Sequence, residues 1–171
     1  MTNTELSQAI RKELKKNGLT SKEVSVKVRD ALYDTAADLT VKSPFVRTSE
    51  VEEIVKKFSK IDYDRRSMEI LSGCNVYVHV QYAYGIFQDV SAPLATIARN
   101  VFNNPEYDGR KIAQNENAEV HIIKMNDTES RLYQFDRNEK QHSYLSGYIV
   151  RSAEGLAVAM WRFKNLGTIY A

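Results

Sequence analysis

The side chains in this sequence that best fit a function are the basic residues and tyrosines of its periodic segments. The function that they support is binding rather than catalysis. The first predicted helix carries Arg11, Lys12, Lys15 and Lys16 on its outward face, where they can contact phosphate groups or an acidic protein surface. The same four residues also fit a solvated helix face, because the helix dipole favours lysines near the C-terminal end. Both interpretations stay open.

A second set of candidate residues alternates along predicted strands. Tyr77 and His79 fall on one face of a strand, and Arg131 and Tyr133 add a basic and an aromatic group in the later sheet. Aromatic groups beside cations can stack single-stranded bases, and tyrosine and arginine are also enriched at protein interfaces. A tyrosine at a core edge with its hydroxyl in water explains the same residues without a partner.

A charged connector contains Asp62 and Asp64 at the spacing of two carboxylates in a hard-cation loop. A calcium loop needs further oxygen ligands and a closing glutamate, whereas Arg65 and Arg66 occupy the next places. The sequence therefore predicts a charged turn, and its two arginines join the candidate binding residues.

Residue types used in catalysis are present without the spacing that catalysis needs. The histidines His79, His121 and His142 lack the short separations of zinc ligands. Cys74 precedes His79 by roughly 17 Å of extended strand, so the two cannot pair locally. We predict a packed, unreactive Cys74, no catalytic residues, no metal and no cofactor. A site assembled only in three dimensions stays open.

Composition narrows the class of protein. The 171 residues include 24 basic and 22 acidic side chains, a net charge of +2. This balance argues against a polyanionic nucleic-acid mimic and falls short of the positive charge of a dedicated nucleic-acid binder. The single cysteine fits a reducing cytoplasm. There is no apolar run near 18 residues and no hydrophobic stretch behind a basic start, so we expect neither a membrane span nor a secretory signal.

Hydrophobic periodicity predicts an α+β fold, with helices packed on a mostly antiparallel sheet. Residues 1–85 read as a helix–strand–strand–helix–strand unit, in which the two adjacent strands form an antiparallel hairpin. The predicted elements are a helix from Thr4 to Asn17, strands over 23–30 and 37–42, a helix from a Ser49–Glu52 capping box to Lys60, and a strand from residue 75 to Tyr84.

The pattern of residues 86–171 predicts a helix followed by four antiparallel strands. This second unit either shares a core with the first unit or forms a core of its own. The helix begins at Asp89 or Ser91 with Pro93 in its first turn. Polar residues 104–117 indicate a boundary or a mobile loop. The strands are predicted over 120–125, 132–135, 144–150 and 156–164, with a charged turn over 136–140 and a hairpin joining the last two strands.

The first unit resembles a known family. The stretches AIRKELKKNGLTSKEVSVKVRD, DTAADLTVK, VEEIVKKFSKIDYD and ILSGCNVYVHVQY are similar to a large polyvalent protein-associated domain. Such domains occur in multi-domain proteins of phages and conjugative elements and as short free-standing proteins. The similarity covers residues 5–84 and consists of hydrophobic patterns, and it supplies no catalytic residues. It implies a mobile genetic element in a bacterial cytoplasm.

In that context we expect a non-enzymatic binding protein that inhibits or modulates a host nuclease or another nucleic-acid-processing defence enzyme, in the manner of an anti-CRISPR protein. The alternative is an accessory protein that binds DNA or RNA directly. An enzyme is a third, weaker option. The sequence leaves the partner's identity and the oligomeric state open.

Overall fold

Helices lie on one face of a sheet in each of the two units into which the chain divides, Met1–Ile86 and Phe87–Ala171. This architecture is seen in a computed structural model that describes residues 1–71, 73–137 and 147–170. The first unit holds a three-stranded sheet and the second a four-stranded sheet, and all but one of the described strand pairs are antiparallel. The predicted α+β class is therefore confirmed.

The first helix, α1, spans Asn3–Lys16 and begins at a capping box. The Thr2 hydroxyl accepts a hydrogen bond from the Glu5 backbone N–H at 3.2 Å, and the Glu5 carboxylate accepts one from the Thr2 N–H at 2.8 Å. Both bonds satisfy N–H groups at the helix start. The predicted helix is confirmed, with its cap at Thr2 rather than at Thr4. Its buried stripe consists of Leu6, Ile10 and Leu14.

Two antiparallel strands, β1 (Val24–Ala31) and β2 (Asp34–Val41), form the predicted hairpin. In the turn between them, Leu32 takes a positive φ of 57°, which side chains with a Cβ seldom adopt. The third strand, β3 (Val76–Tyr82), pairs with β2 in parallel. Parallel neighbours need a long crossover between them, which the chain between β2 and β3 supplies.

The crossover contains helix α2 at Thr48–Val55 and a 3-10 turn at Lys56–Phe58. The predicted capping box of Ser49 and Glu52 is wrong, since the capping position is Arg47 and forms no side-chain hydrogen bond to the helix. The cap lies two residues earlier than predicted, so Ser49 has helical backbone angles. A cap needs an extended backbone to aim its hydroxyl at the first turn.

One buried amide organises the chain just before β3. Asn75 is fully buried, and its Nδ2 donates to Asp34 Oδ1 at 3.1 Å while its Oδ1 accepts from the Asp62 N–H at 2.8 Å. The same Asp34 oxygen accepts from the backbone N–H groups of Gly73 at 2.9 Å and Asn75 at 3.0 Å. These bonds tie the end of the crossover to the start of β2.

In the second unit, two short helices precede the sheet and a longer helix follows it. The predicted first helix begins at Gln88 and is divided by a 3-10 turn that contains Pro93. The helices are α3 (Gln88–Ser91), α4 (Ala95–Asn103) and α5 (Ala153–Leu166), with 3-10 turns at Ala92–Leu94 and Pro105–Tyr107. The strands are β4 (Lys111–Gln114), β5 (Ala118–Lys124), β6 (Ser130–Asp136) and β7 (Tyr148–Val150), arranged in the spatial order β4-β5-β6-β7.

The predicted hairpin of strands over 144–150 and 156–164 is wrong, because the second of these segments lies in α5. The Ser152 hydroxyl caps α5 by accepting from the Gly155 N–H at 3.1 Å, and Gly167 ends the helix in the left-handed conformation. α5 buries side chains around much of its circumference, so its sequence lacks a one-sided 3.6-residue pattern. Its buried residues are Leu156, Ala157, Ala159, Trp161, Phe163 and Leu166.

The segment 104–117, predicted as a boundary or a mobile loop, contains β4 and a 3-10 turn instead. β4 pairs with β5 and is the fourth strand of the sheet, in place of the predicted strand over 156–164. Several predicted features fall outside the described residues: 138–140 of the predicted turn, His142, and 144–146 of the predicted strand.

Each unit has its own apolar core, which lies between its helices and one face of its sheet. Ile10 and Leu39 are fully buried in the first core, and Ile122 and Leu132 in the second. Because side chains alternate along a strand, half of the strand residues in each unit point to the opposite face of the sheet. These opposite faces carry the candidate binding residues that lie on strands, Tyr77, His79, Arg131 and Tyr133.

Candidate binding surfaces

A groove runs between α1 and the edge strand β1, and we call it the α1/β1 groove. Arg11 and Lys15 line it from the helix, and Lys42, which follows β2, lines one end. Arg11 Nη2 donates to the Val26 carbonyl at 2.7 Å, which holds the guanidinium at the edge of β1. Lys42 Nζ donates to the Ser21 carbonyl. The groove thus gathers three cations from separate parts of the first unit.

The predicted cations of α1 do not all share this groove. Arg11 and Lys15 line it, whereas Lys12 and Lys16 are exposed on other parts of the helix. Lys42 was not predicted as a binding residue, and no pattern in the sequence around it indicates a role in binding. It reaches the groove because the β1/β2 hairpin brings the end of β2 beside the start of β1.

Tyr77 and His79 lie on the face of the first sheet that is directed away from the helices. The strand register places Tyr77 beside Ala36 and His79 beside Asp38. Tyr77 is half-buried and His79 is exposed. Asp38 accepts a hydrogen bond from Arg29 Nε at 2.8 Å, so the carboxylate nearest His79 in the register already has a cation partner.

The face of the second sheet directed away from the helices carries an arginine among apolar and aromatic side chains, and we call it the second-sheet face. The register places Arg131 between Ile123 and Ile149, which are 36% and 38% exposed. Arg131 Nε is buried, and no described residue accepts a hydrogen bond from it. Because Nε is covered by the chain itself, this half-buried guanidinium can reach a carbonyl or carboxylate of a partner only through its terminal Nη donors.

Aromatic rings extend this face along β5 and β6. His121 and Phe135 meet edge to face, with ring centroids 5.0 Å apart. Tyr133 is the strand partner of His121, and its ring lies against Gly147. A Cβ at Gly147 would lie 3.0 Å from that ring, so the ring would have to shift by a few tenths of an ångström to admit a larger residue.

The β4 side of the second-sheet face carries a carboxylate. Glu119 pairs with Lys111 Nζ at 3.3 Å, and the same oxygen lies 3.9 Å from His121 Nε2. The face is therefore basic at Arg131 and close to neutral around Glu119.

Arg65 and Arg66 are exposed in a tight turn, as the sequence predicts. Asp64 Oδ1 accepts hydrogen bonds from the backbone N–H groups of Arg66 and Ser67, both at 2.8 Å. These bonds, the Ser67 bond foremost, lower the pKa of the Asp64 carboxyl group. Large exposed apolar side chains in the same loop and in the hairpin turn are Leu32, Tyr33, Met68, Ile70 and Leu71.

The ten predicted binding residues thus lie in separate places: on α1, on the outer face of the first sheet, in the 64–67 turn, and on the second-sheet face. Four residues of the second-sheet face were missed: His121, Phe135, Ile123 and Ile149. Phe135 shares the strand alternation of Arg131, so its position was readable from the sequence. Ile123 and Ile149 become neighbours of Arg131 only through the pairing of β5 and β7 with β6, which no local pattern reveals.

Cys74 is exposed rather than packed, so that prediction is wrong. β3 begins at Val76, and Cys74 lies in the preceding turn with a positive φ of 66°. Its backbone N–H donates to the Tyr33 carbonyl at 3.2 Å. Within residues 1–71, 73–137 and 147–170, no three His, Cys, Asp or Glu side chains are grouped as metal ligands.

Comparisons with known proteins do not assign the chain to a family. No protein-family model matches it, and searches of curated proteins and of solved structures find no match. Among the described helices, none combines the length and the apolar character needed to cross a membrane.

Proposed function

We propose that this chain is a non-catalytic binding protein that holds a macromolecular partner on its second-sheet face. The supporting observation is Arg131, a half-buried cation that lies between the exposed Ile123 and Ile149 on a sheet face that also carries aromatic rings. Arginine and aromatic residues are enriched in the centres of protein interfaces. A protein surface with a carbonyl or carboxylate opposite Arg131 fits this face.

The partner, in this proposal, is a host nucleic-acid-processing defence enzyme such as a CRISPR nuclease, met in a bacterial cytoplasm. We base this step on the resemblance of residues 5–84 to large polyvalent protein-associated domains, which occur in phages and conjugative elements. Small proteins of such elements often act on host nucleases. The chain would inhibit or modulate the enzyme by covering a surface rather than by cleaving a bond.

Direct binding of DNA or RNA is the second candidate, and the aromatic rings of the second-sheet face favour it. His121, Tyr133 and Phe135 lie on the same face as Arg131, and single-stranded bases stack on such rings beside cations. The carboxylate of Glu119 beside His121 opposes it, because phosphate groups are repelled there. Binding that weakens steeply with added salt is the signature of this second candidate.

Replacing Ile149 by Asp tests the second-sheet face. We expect Ile149→Asp to weaken binding to a purified CRISPR effector nuclease by at least tenfold, about 1.4 kcal/mol, because it places a charge in the apolar centre. Binding is measured by biolayer interferometry and inhibition by a DNA-cleavage assay, across a panel of effector complexes. The control is Ile97→Asp, since Ile97 is 53% exposed on α4.

Both variants are checked for folding by thermal denaturation before their binding is compared. Unchanged inhibition by a folded Ile149→Asp variant would exclude the second-sheet face as the interface. If the unaltered chain instead binds a labelled single-stranded oligonucleotide, and loses that affinity as salt rises, direct nucleic-acid binding replaces the inhibitor hypothesis.

A further inference from the structure

We propose that the α1/β1 groove binds an extended, acidic peptide segment of a protein, and that this segment adds to the first sheet as a further strand beside β1. This surface is separate from the second-sheet face and has its own kind of partner. Three features support the assignment: the unused backbone groups of Val28 at the edge of β1, an apolar floor, and described lining residues that include cations but no carboxylate.

At the outer edge of β1, the Val24 N–H donates to the Thr20 carbonyl and the Val26 carbonyl accepts from Arg11, whereas described residues leave the backbone groups of Val28 unused. Backbone groups of every second residue point to the same edge of a strand. Arg11 donates to the Val26 carbonyl from outside the sheet, so the N–H and carbonyl of Val28 also point outward. No described residue forms a hydrogen bond with that N–H or carbonyl. Such an edge is a template for strand addition.

The floor and the charge of the groove define the side chains that it accepts. Leu14, Leu19 and Val24 supply an apolar floor. The cations that line the groove with their side chains are Arg11, Lys15 and Lys42. No aspartate or glutamate occurs among its described lining residues. Glu23, in the turn before β1, directs its carboxylate to Thr20, whose N–H donates to it at 2.8 Å. Apolar residues alternating with acidic ones therefore match the groove.

Arg11 has further hydrogen-bond donors that can bind such a segment. A guanidinium carries five N–H donors, and the Val26 carbonyl takes one of them. The remaining donors can hold a carboxylate in the paired geometry that arginine favours. From Asn3 to Lys15 the helix rises about 18 Å, which is the length of about five residues of extended chain.

A nucleic-acid strand fits this groove less well than a peptide. Phosphate groups would satisfy the cations, but the apolar floor gives them no favourable contact. A phosphodiester backbone also has no regularly spaced N–H groups for the Val28 carbonyl. A peptide strand satisfies the cations, the floor and the edge together.

The test uses an eight-residue peptide of alternating Glu and Val, labelled with fluorescein, and the full chain. We expect saturable binding by fluorescence anisotropy, and no binding of the matched Lys-Val peptide. Lys15→Glu should lower the affinity for the Glu-Val peptide at least tenfold. Lys16→Glu is the matched control, because it makes the same charge change one residue along α1 but outside the groove, and it should change the affinity less than twofold.

Strand addition has a second readout that charge attraction alone does not produce. The amide of Val28 should exchange with deuterium more slowly when the Glu-Val peptide is bound, measured by NMR. A Glu-Val peptide that is N-methylated at alternate residues on its bonding edge should lose binding, although its charge is unchanged.

Several outcomes would overturn the assignment. Absence of saturable binding, equal binding of the Lys-Val peptide, or equal effects of Lys15→Glu and Lys16→Glu would each do so. Tight binding of an oligothymidine of similar length, with no change at the Val28 amide, would assign the groove to nucleic acid. Self-association that Lys15→Glu abolishes, measured by analytical ultracentrifugation, would assign it to a second copy of the chain.

Discussion

At the scale of single residues, Asn75 joins three parts of the first unit through one buried amide. Its Nδ2 donates to the Asp34 carboxylate and to the Leu71 carbonyl, and its Oδ1 accepts from the Asp62 N–H. An amide carries donors and acceptors together, whereas an ionised carboxylate only accepts and an alkyl side chain does neither. The position therefore requires asparagine rather than a side chain of similar size.

Replacing Asn75 by Ala should lower the free energy of unfolding by about 2–3 kcal/mol, because buried groups of Asp34, Leu71 and Asp62 lose their partner. Asn75→Asp should cost more at neutral pH, since it places a second carboxylate beside Asp34. Urea denaturation followed by circular dichroism measures both variants.

Gln81→Ala is the control for Asn75, because Gln81 is exposed on β3, the strand that follows Asn75. This substitution should lower the free energy of unfolding by less than about 0.5 kcal/mol. Equal stability of the Asn75→Ala and Gln81→Ala variants would contradict the role assigned to the buried amide.

Arg11 shows why a residue predicted for binding cannot be assigned from its type alone. It was grouped with Lys12, Lys15 and Lys16 as one basic face, yet its guanidinium donates to the Val26 carbonyl at the edge of β1. It therefore joins α1 to the sheet and also lines the groove. A sequence pattern places a side chain on a helix face but does not state which backbone group it meets.

At the scale of elements, α5 shows where hydrophobic periodicity stops predicting secondary structure correctly. α1 and the β1/β2 hairpin were predicted because each buries a single face and so repeats every 3.6 or every two residues. α5 is buried on several sides, so its alternating small and large side chains resembled a strand. The terminal signals were present in the sequence, Ser152 as a cap and Gly167 as a stop.

Gly167 ends α5 with a φ of 74°, a conformation that strains any residue with a Cβ. Gly167→Ala should lower the free energy of unfolding by about 1 kcal/mol. Gly155→Ala, in the first turn of the same helix, should raise it by up to about 1 kcal/mol, because an added Cβ meets only Ser152 Oγ at 3.6 Å. The stabilities of the two variants are compared by thermal and urea denaturation.

Opposite signs for these two glycine substitutions are the expected result. A Gly167→Ala variant as stable as the unaltered chain would mean that α5 does not end in the left-handed conformation.

At the scale of the whole molecule, hydrogen-bonded carboxylates are distributed unevenly between the two units. The pKa of Glu5 is lowered mainly by the Thr2 N–H, that of Glu13 by Lys57, and that of Glu23 by the Thr20 hydroxyl. Asp64 adds a fourth such group to the first unit. Among the described residues of the second unit, Glu154 is the carboxyl group with a lowered pKa.

We therefore expect acid to destabilise the first unit more than the second. A carboxyl group with a lowered pKa binds fewer protons when folded than when unfolded, so its stabilisation is present above the unfolded value, 4.5 for glutamate. That stabilisation is lost as the pH falls through the lower folded value. Urea titrations followed by two-dimensional NMR at about pH 6 and about pH 3.5 measure each unit separately.

Glu13→Gln should reduce the pH dependence of the first unit, because it removes the ion pair with Lys57 at 2.8 Å. A larger acid effect on the second unit than on the first would contradict the distribution of these carboxyl groups.

The sequence alone determined the α+β class, the first helix, the hairpin and the face on which Tyr77 lies, because these follow from spacing within one element. Tertiary structure decided which elements become neighbours. It made β3 parallel to β2, brought Lys42 into the α1/β1 groove, and placed Ile123 and Ile149 beside Arg131. The physical reason is range: periodicity reports which face of an element is buried, whereas a binding surface depends on strand pairing between segments far apart in the chain.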